Sequence, residues 1–134
     1  YKKYSDLRFC VFQRADTKQW QFIAGGGENN ETPIEAAIRE IYEETHIKIN
    51  SLLKLKSMTY IPVNIISENQ RKSWNKNIYT IPEYAFAFEC LDDIKISDEH
   101  IKYNWLNYDK ALLKLTWDSN KTALYELNCR LSVT

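Results

Sequence analysis

The sequence predicts an α/β fold in which a mixed β-sheet is covered by helices, and three observations carry that prediction. Short runs rich in aromatic and β-branched residues recur along the chain, bounded by turn residues, as strands are. The stretch from Thr32 to Thr45 combines a helix start signal with apolar residues at helical spacing. Strands and helices intermix without a strict βαβ rhythm, which favours a mixed sheet over a purely parallel one. No repeat, low-complexity tract or linker interrupts the 134 residues, so one domain is expected over 1–134.

Taken in order, Lys2, Lys3 and Tyr4 read as the end of an element whose beginning is absent. Leu7 to Arg14 is apolar, aromatic and β-branched, and reads as a strand. Ala15 to Gln19 is a polar turn. Trp20-Gln21-Phe22-Ile23 alternates at period two and predicts a second short strand ending at Ala24. Gly25, Gly26 and Gly27 are the only glycines in the chain. Their tolerance of positive φ and of close backbone approach predicts a sharply bent loop. Thr32 then caps a helix, Pro33 suits its first turn, and Glu35 completes a capping box. Ile34, Ala37, Ile38 and Ile41 recur at helical spacing and define the face expected to be buried. The helix is expected to end near Thr45–His46.

Beyond it, Ile47-Lys48-Ile49 is strand-like, and Ser51 to Val63 predicts one or two strands. Ser67 to Asn77 is a polar, cationic excursion around Trp74. Ile78 to Cys90 alternates Tyr84, Phe86 and Phe88 with smaller residues and predicts a strand, bent or placed at an edge by Pro82. A strand over Ile101 to Leu106, a short helix over Tyr108 to Leu115 and a helix over Lys121 to Leu131 complete the chain.

Composition excludes several classes of function. Lys+Arg and Asp+Glu are balanced at 18 each, and the pI near 6.9 argues against a general nucleic-acid- or membrane-binding surface. No apolar run approaches the roughly 20 residues that cross a bilayer, and no signal-peptide pattern appears, so a cytoplasmic location is expected. Cys10, Cys90 and Cys129 are odd in number and far apart, and read as reduced thiols.

Against that balance, six acidic side chains lie between Glu28 and Glu44, with Arg39 as the single base among them. Glu40, Glu43 and Glu44 share a helix face away from the apolar stripe, at roughly 100° per residue. Like charges so placed cost a helix roughly 0.2–0.5 kcal/mol per pair, and a divalent cation is the natural offset. Mg²⁺ and Mn²⁺ prefer oxygen ligands, and Mg²⁺ is commonly shared between carboxylates, waters and substrate phosphates. The expected partner is therefore a small phosphate-bearing molecule, with no nucleic acid polymer and no membrane; a homodimer is compatible with the chain. Arg14 and Lys18 flank the glycine loop and are candidates to hold phosphate oxygens, with solvated surface cations as the alternative. GxSxG, HExxH and a phosphate loop ending in GK[ST] are absent. His46 and His100 lack partners at ligand spacing and read as surface or cap residues.

The stretch resembles the Nudix box, G-x5-E-x7-R-E-U-x-E-E-x-G-U with U aliphatic. Gly25, Glu31, Arg39, Glu40, Ile41, Glu43, Glu44 and Ile47 match in register, eight of its nine fixed positions, and His46 replaces the last glycine. That glycine normally ends the helix in a left-handed turn, so His46 puts the turn's geometry in question. The resemblance implies a Nudix-type α/β/α sandwich around a mixed sheet and hydrolysis of a nucleoside diphosphate linked to another group. It implies Mg²⁺ ligation by Glu40 and Glu44, with Glu43 as a further ligand or base and the Gly25 carbonyl nearby. Arg39 would orient the carboxylates, and Glu31 would fix the loop against the helix.

A narrower resemblance runs through Gln13-Arg14, Trp20-Gln21, Glu99-His100, Tyr103, Trp105-Leu106 and Trp117. It points to the branch of the family that acts on dihydroneopterin triphosphate. It implies Glu99 as an extra metal ligand or general base, and puts Trp20 with Arg14 and Lys18 among the substrate-binding candidates. The implied reaction is Mg²⁺-dependent cleavage of dihydroneopterin triphosphate, or a dATP-like nucleotide, to a monophosphate and pyrophosphate, with Mn²⁺ as a substitute. The rivals are a dinucleoside polyphosphate or nucleotide-sugar hydrolase and a non-catalytic nucleotide-binding module.

Overall fold

Leu7–Arg14 folds as the strand its composition predicts, β2, and the main sheet is assembled around it. The structure, a computed structural model, describes residues 1–28 and 30–133. β1 (Lys2–Lys3) pairs with the start of β2, and β3 (Trp20–Gln21) pairs with its end through Phe12↔Gln21 and Gln13↔Trp20. β6 (His100–Leu106) runs along the other edge of that end, from Phe9↔Leu106 to Gln13↔Lys102. A register shift after Gln13 then sets Arg14 opposite His100. All these pairings are antiparallel. β4 (Leu53–Pro62) and β5 (Thr80–Ala87) form a separate antiparallel pair, with a short 3₁₀ turn at Val63–Ile65 in their connection.

Side chains alternate across a strand, so the main sheet offers two faces. Phe9 and Val11 pack with Leu55, Ala87, Ala111, Leu115, Leu124 and Leu127, beneath α2 (Tyr108–Lys114) and α3 (Asp118–Ser132). Trp105 packs on the opposite side with Ile41, Ile47 and Cys90, beneath α1 (Pro33–Thr45). Helices therefore cover both faces, giving the α/β/α sandwich. Burial of a side chain such as Phe9, 1% exposed, contributes roughly 1.5–3 kcal/mol.

Helix α1 starts as the capping signals predict: Thr32 Oγ1 accepts from the Glu35 amide at 3.3 Å, and Glu35 Oε1 accepts from the Thr32 amide at 3.0 Å. The buried face differs from expectation. Ile34 is 38% exposed, while Ala36, Ile41, Glu44 and Thr45 are buried. His46 does adopt the left-handed turn, at φ 61 and ψ 18, with its amide donating to Tyr42 O at 2.8 Å. Its ring stacks on Tyr42 with centroids 5.7 Å apart, which offsets part of the roughly 1–2 kcal/mol that a non-glycine residue incurs there.

Two further expectations are corrected. β3 stops at Gln21, because the Phe22 amide donates to Asn120 Oδ1 at 3.1 Å instead of extending the ladder. Ile47-Lys48-Ile49 forms no strand, and Ile47 is buried under α1 instead. None of the three glycines has a positive φ, so the loop uses them for another reason.

Candidate active site

That reason is visible at Gly25. A Cβ there would fall on the Glu40 carboxyl group, whereas a Cβ at Gly26 would meet nothing within 4 Å. Glycine at 25 lets the loop backbone lie directly against a helix carboxylate.

Arg39 ties the loop to the helix. Its Nε donates to Glu31 Oε2 at 2.8 Å, and its Nη2 donates to Gly26 O at 2.7 Å and Glu31 Oε1 at 3.1 Å. Its Nη1 donates to Glu40 Oε1 at 2.9 Å and to both Glu43 oxygens at 3.2 and 3.1 Å, with Glu28 at 3.6 Å. Hydrogen bonds to Glu31 above all, outweighing burial, hold the guanidinium far above its ordinary range. The Arg39 bonds, with the Glu28 amide donating to Glu31 Oε1 at 2.7 Å, hold the Glu31 carboxyl below its usual range.

Glu44 sits on the core side of this network, 3% exposed. Ser97 Oγ donates to its Oε2 at 2.9 Å, and His100 Nδ1 lies 2.9 Å from the same oxygen. The imidazole contact is close but misaligned, and neither ring nitrogen completes a hydrogen bond among the described residues. Burial pushes the Glu44 carboxyl up; Ser97 opposes this, and the Glu99 and Glu43 charges add to it. Glu40 is likewise pushed up by burial, against the pull of Arg39 and with Glu43 and Glu44 adding repulsion. Burial and the Arg14 charge push His100 down, leaving its ring neutral near pH 7.

The structure thus brings Gly25, Glu31, Arg39, Glu40 and Glu43 into one network, with Glu44 and Glu99 beside it. The remaining candidates are engaged locally. Arg14 forms a two-pronged pair with Asp16 at 2.8 and 2.9 Å, which raises the guanidinium and holds the Asp16 carboxyl well below its usual range. Lys18 adopts φ 64 and donates its Nζ to Ala15 O at 2.9 Å. The Trp20 ring packs on the α2/α3 side of the sheet, with the ammonium groups of Lys114 and Lys102 at 4.5 and 5.7 Å from its centroid. Sequence reasoning missed Ser97, the burial of His100 and the Gly26 carbonyl. The available signals were the polar Ser97-Asp98-Glu99 run directly before β6 and the Glu99-His100 pair of the narrower resemblance.

Among the described residues no three His, Cys, Asp or Glu side chains are already gathered as a metal site. Arg39 takes up the Glu40 and Glu43 oxygens instead. The donor set nevertheless fits a hard divalent cation: it is all oxygen, partly desolvated and mutually repelling, with the Gly25 cradle around Glu40.

The NUDIX domain model matches residues 5–127, and the chain belongs to that family of hydrolases. The dihydroneopterin triphosphate diphosphatase of Haemophilus influenzae is 30% identical over 129 residues, covering 92% of this chain and 81% of that protein. The asymmetrical bis(5'-nucleosyl)-tetraphosphatase of Rattus norvegicus is 26% identical over 121 residues, 90% of this chain and 78% of that one. An RNA pyrophosphohydrolase of Brucella anthropi is 55% identical over 76 residues, 54% of this chain and 42% of that one. A crystal structure described as a NUDIX hydrolase of Listeria monocytogenes superposes with a TM-score of 0.83 at 41% identity, covering 97% and 87% of the two chains. The fold and the pyrophosphohydrolase class expected from the sequence are those of these relatives.

Proposed function

We propose that this enzyme is a Mg²⁺-dependent pyrophosphohydrolase that cuts dihydroneopterin triphosphate, or a dATP-like nucleotide, to a monophosphate and pyrophosphate. The observation that carries this reading is the placement of Glu40 and Glu44, desolvated and repelling each other, beside Gly25 and Glu99. Glu40 and Glu44 hold the cation, with Glu43 and the Gly25 carbonyl as further oxygens, and Mn²⁺ substitutes. When bound, Mg²⁺ neutralises phosphate charge and lowers the pKa of a water. Arg39 keeps Glu40 and Glu43 in place and Glu31 locks Arg39 to the loop. Water attacks phosphorus at the α–β anhydride, its proton passes to Glu43 or Glu99, and the bridging P–O bond breaks to release pyrophosphate. Arg14, turning from Asp16, and Lys18, turning from Ala15, reach for the phosphates; Trp20, whose ring packs on the α2/α3 side of the sheet, has no such role in this reading.

The match to the Haemophilus influenzae diphosphatase over 92% of the chain supports this substrate class. The rat tetraphosphatase, matched over 90%, supports a dinucleoside polyphosphate as the second reading. No helix among the described residues is long and apolar enough to cross a membrane, and we place the enzyme in the cytoplasm. The test is a turnover screen of dihydroneopterin triphosphate, nucleoside triphosphates, dinucleoside polyphosphates, nucleotide sugars and a 5'-triphosphorylated RNA, with products identified. Pyrophosphate from dihydroneopterin triphosphate or dATP, abolished by exhaustive EDTA, is expected. Preferential turnover of another class, or activity that survives EDTA, overturns the reading.

A further inference from the structure

The turn just before β6 carries more than Glu99. Ser97 Oγ accepts from the Glu99 amide at 3.3 Å and donates to Glu44 Oε2 at 2.9 Å, while the His100 amide donates to Ser97 O at 3.2 Å. The turn is itself anchored at both ends: the Lys95 amide donates to Thr45 O at 3.0 Å, and the Ala15 amide donates to Glu99 O at 2.9 Å. It therefore docks on the end of α1 and on the β2–β3 turn at once. The His100 side chain, 2% exposed, then lies against Phe12, ring centroids 5.3 Å apart, with Nδ1 2.9 Å from Glu44 Oε2. Ser97, from the turn, and His100, the first residue of β6, converge on Oε2 of Glu44, with the Glu99 side chain also close to the carboxylate.

We propose that Ser97 and His100 form a clasp on Oε2 of Glu44 that fixes the carboxylate plane and reserves Oε1 for the divalent cation. His100 is thus a positioning residue, not a catalytic one, and Ser97 is its partner. This rests on Glu44 as a ligand of the cation. A buried imidazole with neither ring nitrogen well bonded gives little back to the fold, because burying a polar group without a partner is unfavourable. Its position against Glu44 is what accounts for a histidine in this place. Ser97 bonds the Glu44 carboxylate, and the His100 ring, in contact with the same oxygen, limits its rotation; losing such support around a ligating carboxylate typically costs metal affinity a factor of about 10–100. The clasp also couples the two ends of the site. The Ser97 hydroxyl that bonds Glu44 accepts the amide of Glu99, so Glu44 and Glu99 share one spacing element.

The experiment is a Mn²⁺ titration of the full chain followed by electron paramagnetic resonance of the free ion, without substrate, alongside thermal unfolding. Wild type binds Mn²⁺ and Glu44→Gln loses that site; failure of either result overturns the cation assignment itself. With those two results in place, His100→Leu and Ser97→Ala are expected to weaken Mn²⁺ binding about 10–100-fold. His100→Asn, whose amide can stand where Nδ1 does, regains most of it. His100→Leu should unfold no earlier than wild type, since it replaces an unpartnered polar ring with an apolar side chain. Mn²⁺ affinity unchanged in both His100→Leu and Ser97→Ala overturns the clasp while leaving Glu44 as a ligand. Equal weakening in His100→Leu and His100→Asn, in step with lost thermal stability, also overturns it, since that is the mark of packing alone.

Discussion

Gly25→Ala separates what the glycine loop does for the fold from what it does for the site. The added Cβ lands on the carboxyl group of Glu40, so that group must withdraw. The displaced atoms are the far end of a flexible side chain, and the φ of Gly25 is not positive, so the backbone accepts alanine. A glycine-to-alanine change at a compatible position stabilises by about 0.4–1 kcal/mol through the unfolded chain. Stability should therefore stay within about 1 kcal/mol of wild type. Function should not: a misplacement on the order of 1 Å at a reacting centre costs about 10²-fold. Gly27→Ala is the matched control, because its Cβ meets only Ala36 Cβ at 3.9 Å, an ordinary contact. The assay is kcat/KM for pyrophosphate release together with a Mg²⁺ titration and the Tm of each variant. A Gly25→Ala enzyme with wild-type kcat/KM, or one that loses no more than Gly27→Ala, refutes the reasoning.

Two other perturbations test separate parts of the molecule. Glu99→Ala should lower kcat by about 10²-fold, the scale of a lost proton acceptor. Glu28→Ala removes only a 66% exposed carboxylate 3.6 Å from Arg39 and should change kcat little; equal, mild effects would return Glu99 to a surface turn residue. Glu126 accepts from the Lys56 and Ser57 amides, both at 2.8 Å, where β4 shifts register, and from Ser57 Oγ and Arg130 Nε, both at 2.7 Å. Burial pushes its carboxyl up, but those bonds outweigh it and hold it at about 2, below the ordinary 4.5. Stabilisation from a depressed carboxylate is present above pH 4.5 and lost as pH falls toward 2. Glu126→Gln should therefore destabilise by on the order of 1 kcal/mol at pH 7 and by less as pH falls through that window. Denaturant unfolding at several pH values measures the gap, and a gap that widens in acid would contradict the assignment.

What was legible in the sequence was local. The Thr32–Glu35 box marked the helix start because both partners lie three residues apart, and the capping bonds form as expected. β2 was legible because its side chains are those a buried strand needs. What failed depended on distant partners. The end of β3 is set by Asn120, 98 residues from Phe22, and no local pattern announces that. The buried face of α1 was misread for the same reason. Periodicity sets Glu44 on the carboxylate face away from the apolar stripe, yet Glu44 is buried because Ser97, 53 residues away, and His100 receive it. The sequence alone reads His100 as a surface or cap residue because its partners are spatial, not sequential. The turn at His46 is a milder case: the left-handed geometry survives without glycine because Tyr42, one helical turn back, supplies a stacking surface.

The central claim is that Glu44 helps hold the divalent cation on which hydrolysis depends. The measurement that tests it most directly is pyrophosphate release from dihydroneopterin triphosphate and dATP by Glu44→Gln at saturating Mg²⁺, with Tm recorded alongside. The expected result is a fold that melts no earlier, since the neutral amide is easier to bury, and a kcat lowered by about 10²-fold or more. Near-wild-type turnover by a folded Glu44→Gln enzyme would contradict it.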